Sequence, residues 1–230
     1  MVAKPKDTQR TTATAKAGLR AHMRKRPLAY NAIAAQEHLM AVDPVMRDII
    51  ERVGPCEIEV RGAPYQQLLR SILYQQLAGP AAAAIERRFL AIWGGIPQPH
   101  ELATVSDEAL RAAGVSRQKA GYMRSLGEQF ASGALTDSEL RRASDDDVIA
   151  RVTQTKGIGR WTADMLLMFC LGRADVLPVG DLGVQNSMRI AYALEALPKP
   201  AEMEAIAEAW RPYRSAGTWY LWRRSDIVTL

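Results

Sequence analysis

A chain of 230 residues, 48% of them apolar, is long enough for one sizeable domain or for two small lobes with a shared interface. Neither a run of eighteen apolar residues nor an apolar leader is present, so a soluble cytoplasmic protein without a membrane partner is expected. Thirty basic residues against twenty-five acidic ones give +5. Residues 1–26 hold eight of the basic residues and only Asp7, leaving twenty-two against twenty-four, or −2, for the rest. The basic pI is therefore a property of the tail, and any nucleic-acid face elsewhere must be a local patch.

Residues 1–27, rich in Thr, Ala, Lys and Arg, predict a basic, disordered tail able to add non-specific affinity for nucleic acid. Leu28 to Met40 reads as a first helix. Asp43-Pro44 caps a second, which Gly54-Pro55 ends. Glu57 to Arg61 reads as a short extended connector. Pro64 opens a helix with Tyr65, Leu68, Leu69, Ile72, Leu73 and Leu77 on or near one face. Gly79-Pro80 breaks it, and the next helix runs to Gly94-Gly95. Ser106–Gly114, Ser116–Ala131, Thr136–Ala143 and Ser144–Thr155 read as capped helices, with a capping box at Thr136 and Glu139. The run of Asp145, Asp146 and Asp147 reads as a helix start, not a metal site. Leu182–Leu194, Ala201–Trp210 and Tyr213–Trp222 complete an all-α chain, and Cys56 and Cys170 belong to no spaced metal motif.

One stretch, Val152 to Val184, concentrates the chemistry. Gly157-Ile158-Gly159 allows a tight turn between two helices. The second of these starts at Arg160 and is mostly apolar through Trp161, Met165, Leu166, Met168 and Phe169. Amides from Gly157 to Trp161 then lie at a helix N-terminus, which favours an anion such as a phosphate. Asp181, alone before Leu182, is an N-cap pattern that would keep a carboxylate ionised and fixed in direction. Taken singly, the turn is a helix connector and Asp181 a cap.

Together, TKGIGRWTA and LPVGDLGV resemble the helix-hairpin-helix DNA glycosylases, and most nearly the 3-methyladenine DNA glycosylase II group in its compact form without an N-terminal β domain. LLRSILYQQLA and WRPYRSAGTWYLW fit the same group, so the likeness runs from about Pro44 to Trp222. It implies a two-lobed all-α fold with the active cleft between the lobes. One lobe would span 63–172, with the hairpin at about 144–171. The other would combine 28–62 with 173–230 and carry Asp181.

The resemblance also implies roles. Asp181 would be the essential carboxylate, stabilising the positive charge that develops on deoxyribose as the base departs. Trp161, Trp222, Met165 and Tyr65 would form the pocket for a flipped base. Lys156, Gly157, Ile158, Gly159, Arg160 and Thr162 would hold the DNA backbone, and Leu77 would be the wedge left in the duplex. Carbonyls of Thr153, Thr155 and Ile158 would hold a structural Na+ or K+. No catalytic metal and no cofactor are expected.

Strand-cutting members carry a Schiff-base lysine where this chain has Trp161, so a monofunctional enzyme is expected. Lys156 stands where relatives often have proline and is read as a phosphate contact. Met165 stands where some relatives have tyrosine, which leaves pocket width and specificity open. The expected reaction is hydrolytic release of alkylated purines from double-stranded DNA by a monomer, in base excision repair. The alternatives are the same scaffold acting on hypoxanthine, ethenoadenine or a mismatched base, and a non-catalytic DNA-binding module in which Asp181 only caps a helix.

Overall fold

Local capping explains where most helices begin. The computed structural model describes residues 23–228, with side chains through Arg224; nearly all of the expected basic tail, up to residue 22, lies outside the described residues. In chain order it contains β1 (Lys25–Arg26), α1 (Ala32–Val42), α2 (Pro44–Val53), β2 (Val60–Arg61), α3 (Pro64–Tyr74), α4 (Gly79–Ala91), α5 (Pro99–Thr104) and α6 (Asp107–Ala112). Then follow α7 (Arg117–Ala131), α8 (Asp137–Arg142), α9 (Asp145–Val152), α10 (Arg160–Leu166) running into a π-helical turn (Leu167–Leu171), and α11 (Leu182–Ala191). The last are α12 (Pro200–Ile206) with a 3-10 turn (Ala207–Trp210), and α13 (Arg214–Val228). The two short strands pair as a two-stranded sheet.

Asp43, Ser106, Ser116, Thr136, Ser144 and Asp181 each accept a hydrogen bond from an amide two or three residues on, the interaction that makes such residues helix starters. Several boundaries differ from the sequence reading, and α13 runs on to Val228, past the expected end at Trp222. The first helix begins at Ala32, because Asn31 takes the Ile33 and Ala34 amides and leaves Leu28 to Tyr30 outside. Helix α5 has no counterpart in the sequence pattern; Pro99 is its first residue, and Glu101 accepts from the Gln98 amide at 2.6 Å. Helix α11 stops at Ala191 rather than Leu194, since Ala193 turns to φ 53°.

The chain divides into two compact units. Among the described residues, one comprises 23–25 and Arg61–Thr162; the other comprises Arg26–Val60 and 163–228. The division thus falls inside α10 and not after Gly172. Ala163, Leu166, Leu167, Met168 and Cys170 are buried, and Phe169 packs against the second unit's core.

In the first unit, Tyr65, Leu68, Leu69, Ile72 and Leu73 of α3 are buried, as are Ala120, Met123 and Leu126 of α7. Gly127 lets α5 approach α7 closely: a Cβ there would lie 2.6 Å from the Ala103 nitrogen and 2.8 Å from the Pro99 carbonyl oxygen. The second unit packs Leu39, Met46, Ile50, Val184, Met188, Met203, Trp210, Tyr220 and Leu221 into one cluster. Asp43 is buried within that unit yet fully engaged. Its Oδ1 accepts from the Val45 and Met46 amides, and its Oδ2 accepts from the Tyr192 hydroxyl and from Trp210 Nε1 at 2.8 Å. A buried carboxylate is tolerable only when it is satisfied in this way. Among the described residues no helix is long and apolar enough to cross a membrane.

Candidate active site

The turn Leu177-Pro178-Val179-Gly180 delivers Asp181 to the start of α11. The Asp181 amide donates to the Pro178 carbonyl at 2.9 Å, and Gln185 Nε2 braces the turn through the Val179 carbonyl at 2.8 Å. Asp181 Oδ1 accepts twice, from the Val184 amide at 2.8 Å and from Trp222 Nε1 at 3.0 Å. The first bond makes Asp181 the N-cap of α11 and fixes the direction of its carboxylate. The second ties it to α13.

Two features set the register of that second bond. Buried Ser187 donates its hydroxyl to the Leu221 carbonyl, linking α11 to α13 one residue before Trp222. Gly183 keeps the approach open, for a Cβ there would lie 3.1 Å from Asp181 Oδ1 and 3.5 Å from the Trp222 ring. The Trp222 indole stacks on Phe169, with centroids 5.8 Å apart and planes 29° from parallel. Phe169 sits in the π-helical turn, an irregularity common where a helix presents a functional side chain. Carboxylate, indole and phenyl ring therefore form one fixed group within the second unit.

The hairpin belongs mostly to the first unit. Gly157 adopts φ +83°, and a Cβ there would lie 2.2 Å from Tyr122 Cδ2. Its carbonyl accepts from Gln75 Nε2 at 2.8 Å. Gly159 has open space beside it, with no protein atom beyond its chain neighbours within 4 Å of where a Cβ would stand. No neighbour in the protein demands glycine there, so the bare backbone is open to whatever approaches from outside. Lys156, Gly159 and Arg160 are exposed.

Several expected site residues have other duties. Tyr65 is a core residue of the first unit and not a pocket wall for the base: its hydroxyl donates to the Pro97 carbonyl, and its ring packs on Phe130 at 5.1 Å. Ile158 and Thr162 are buried, so their side chains are not on a DNA-facing surface. The Ile158 amide closes the turn on the Thr155 carbonyl at 3.1 Å. Met165 is buried, whereas Trp161 is 48% exposed, a large apolar surface to leave in water. Leu77 is 36% exposed in the link between α3 and α4. For the expected monovalent cation, the observation that bears on the turn is the buried Thr155 hydroxyl, which has no hydrogen-bond partner. Such an orphaned oxygen fits a cation-binding turn.

The sequence assigns no site role to Phe169, read there only as an apolar helix residue, to Gln75 at the helix break, or to Tyr122. Phe169 lies two helical turns beyond Trp161, and that spacing was the one local signal available.

A mostly helical chain with a glycine hairpin and a carboxylate clamped by an indole accords with the resemblance to the helix-hairpin-helix DNA glycosylases. The chain belongs to the HhH-GPD superfamily of base excision DNA repair proteins, whose family model matches residues 69–212. It is 37% identical to DNA-3-methyladenine glycosylase 1 of Schizosaccharomyces pombe over 84% of this chain and 88% of that one. A solved structure of the S. pombe 3-methyladenine DNA glycosylase in complex with abasic DNA superposes with a TM-score of 0.75 at 36% identity, covering 84% of this chain and 97% of that one. A DNA-3-methyladenine glycosidase from Bacillus halodurans superposes with a TM-score of 0.77 at 37% identity, covering 90% and 94%.

Proposed function

We propose that this protein is a monofunctional DNA glycosylase that hydrolyses the N-glycosidic bond of alkylated purines in duplex DNA, of the 3-methyladenine and 7-methylguanine type. The observation that carries the reading is Asp181, held by the α11 N-terminus and by Trp222 Nε1 in a chain 37% identical to a 3-methyladenine glycosylase.

The lesion must leave the stack to be reached. Backbone contact falls to the hairpin around Gly159, with Lys156 and Arg160 beside it, and positions the duplex without reading sequence. The carbonyls of Thr153, Thr155 and Ile158 would hold a monovalent cation, whose positive charge would favour an anionic backbone at the hairpin. Leu77 fills the gap in the duplex. The Phe169-backed indole of Trp222 offers a π face to a cationic purine, worth roughly 0.5–2 kcal/mol.

Alkylation leaves the base positively charged, so the C1′–N bond is already weak. As it breaks, its electron pair departs with the base and cancels that charge. The Asp181 carboxylate stabilises the cationic sugar, orients a water toward C1′ and accepts the proton that the water loses. The products are a free base and an abasic site. No lysine occupies position 161, so the strand is not cut through a Schiff base.

The test is product analysis on methylated duplex DNA. Free 3-methyladenine or 7-methylguanine is expected, with strand breaks only after hot alkali. DNA binding without release of any alkylated, deaminated or mismatched base would replace this reading with a binding module.

A further inference from the structure

The four-residue link between α3 and α4 carries two features that need support. Leu77 is 36% exposed, and Gln76 beside it adopts φ 55°, a left-handed conformation that disfavours a residue with a side chain. Strained backbone of this kind persists only where the surroundings over-determine it.

Three contacts supply that support. Lys119 Nζ donates to the Leu73 carbonyl at 2.7 Å, closing the end of α3. The Leu77 amide donates to the Tyr74 carbonyl at 3.3 Å. Gln75 Nε2 donates to the Gly157 carbonyl at 2.8 Å, across 82 residues. Gly157 is gripped again by the Tyr122 ring, which Gln118 Nε2 fixes through the Tyr122 hydroxyl at 2.6 Å. The left-handed glycine of the hairpin and the left-handed glutamine of the link are thus joined by one side chain.

We propose that Gln75 is a positioning residue that couples docking of the DNA backbone on the hairpin to insertion of Leu77. The inference rests on the glycosylase reading above. Seating the phosphate fixes the hairpin; Gln75 transmits that fixed position to the link and holds Gln76 in its strained conformation, which aims Leu77. With the bond removed, Gln76 relaxes and Leu77 loses its direction, while the hairpin still meets phosphate through Gly159 and Lys156.

The test compares wild type, Gln75→Ala, Leu77→Ala and the double variant, with Gln75→Glu as an isosteric variant lacking the amide donor. Three quantities are read: single-turnover release of one 7-methylguanine, fluorescence of a 2-aminopurine beside the lesion, and affinity for undamaged duplex. Loss of one neutral hydrogen bond should slow release by about fivefold and diminish the 2-aminopurine signal, with affinity for undamaged duplex changed by less than about twofold. Gln75→Glu should behave like Gln75→Ala, which guards against a folding defect peculiar to the alanine. In the Leu77→Ala background, removing Gln75 should have no further effect.

Multiplying effects in the double variant, or equal losses in affinity and release, would show that Gln75 only holds the hairpin and would overturn the coupling. A wild-type rate in both Gln75 variants would also overturn it. A wild type that releases no base overturns the underlying reading, and the coupling with it; release with multiplying effects overturns the coupling alone.

Discussion

The hairpin's two glycines should respond oppositely to the same methyl group. At Gly157 the added Cβ meets the Tyr122 ring at 2.2, 2.4 and 2.7 Å, and φ is +83°. Left-handed backbone in an alanine costs about 1–2 kcal/mol. Forcing a methyl into packed surroundings adds roughly 1–3 kcal/mol, since ring or turn must move. Gly157→Ala should therefore lose about 2–5 kcal/mol, a fall in melting temperature of roughly 4–20 °C for a chain of this size. At Gly159 no protein atom beyond the chain neighbours lies within 4 Å of the added carbon. Gly159→Ala should cost at most about 1 kcal/mol, the penalty for replacing glycine at a helix start, but should weaken duplex binding because the methyl stands where phosphate approaches. Thermal unfolding and fluorescence anisotropy with an undamaged duplex measure the two effects. A Gly157→Ala protein that melts within a degree of wild type, or a Gly159→Ala protein that falls as far as Gly157→Ala, would refute this account of the hairpin.

Trp222→Phe keeps a ring to stack on Phe169 but removes the Nε1–H donor to Asp181. Base release should slow by about tenfold with duplex affinity unchanged, and an unaltered single-turnover rate would speak against that clamp. Asp43→Ala strips the α2 cap and the acceptor shared by Tyr192 and Trp210; chemical denaturation should register a loss of roughly 3–5 kcal/mol, and a loss below about 1 kcal/mol would contradict the hub. Burial raises the Asp137 carboxyl above its ordinary 3.8, so the folded chain holds that proton to higher pH than the unfolded chain does. The resulting stabilisation is complete below 3.8 and is lost as pH rises through the raised value. Asp137→Asn keeps the acceptor for the Tyr65 amide without a charge to bury, so it should out-melt wild type near neutrality and lose that advantage by about pH 3. Equal melting at both pH values would count against the burial effect.

What the sequence disclosed was mostly local. Ser106, Ser116, Thr136 and Asp181 announce helix starts because a cap and its amide lie within three residues. The glycines of the hairpin are visible for the same reason. The partners that make those features rigid come from far along the chain: Gln75 reaches Gly157 across 82 residues, and Trp222 reaches Asp181 across 41. Nothing local in LLRSILYQQLA says which glutamine turns inward. Tyr65 illustrates the converse. Its type suits a base pocket, yet Pro97 and Phe130 enclose it in the core, an outcome fixed by helix packing. Helix α5 escaped notice because six residues carry too little periodicity; Gly127 on the facing helix is its clearest trace.

Asp181→Asn tests the central claim most directly, since it keeps the Oδ1 acceptor for Val184 and Trp222 while removing the charge. On duplex DNA bearing 7-methylguanine, single-turnover release should fall by roughly 100- to 1,000-fold with affinity for the damaged duplex retained. An asparagine variant that releases base at the wild-type rate would leave Asp181 as a helix cap and place the chemistry elsewhere.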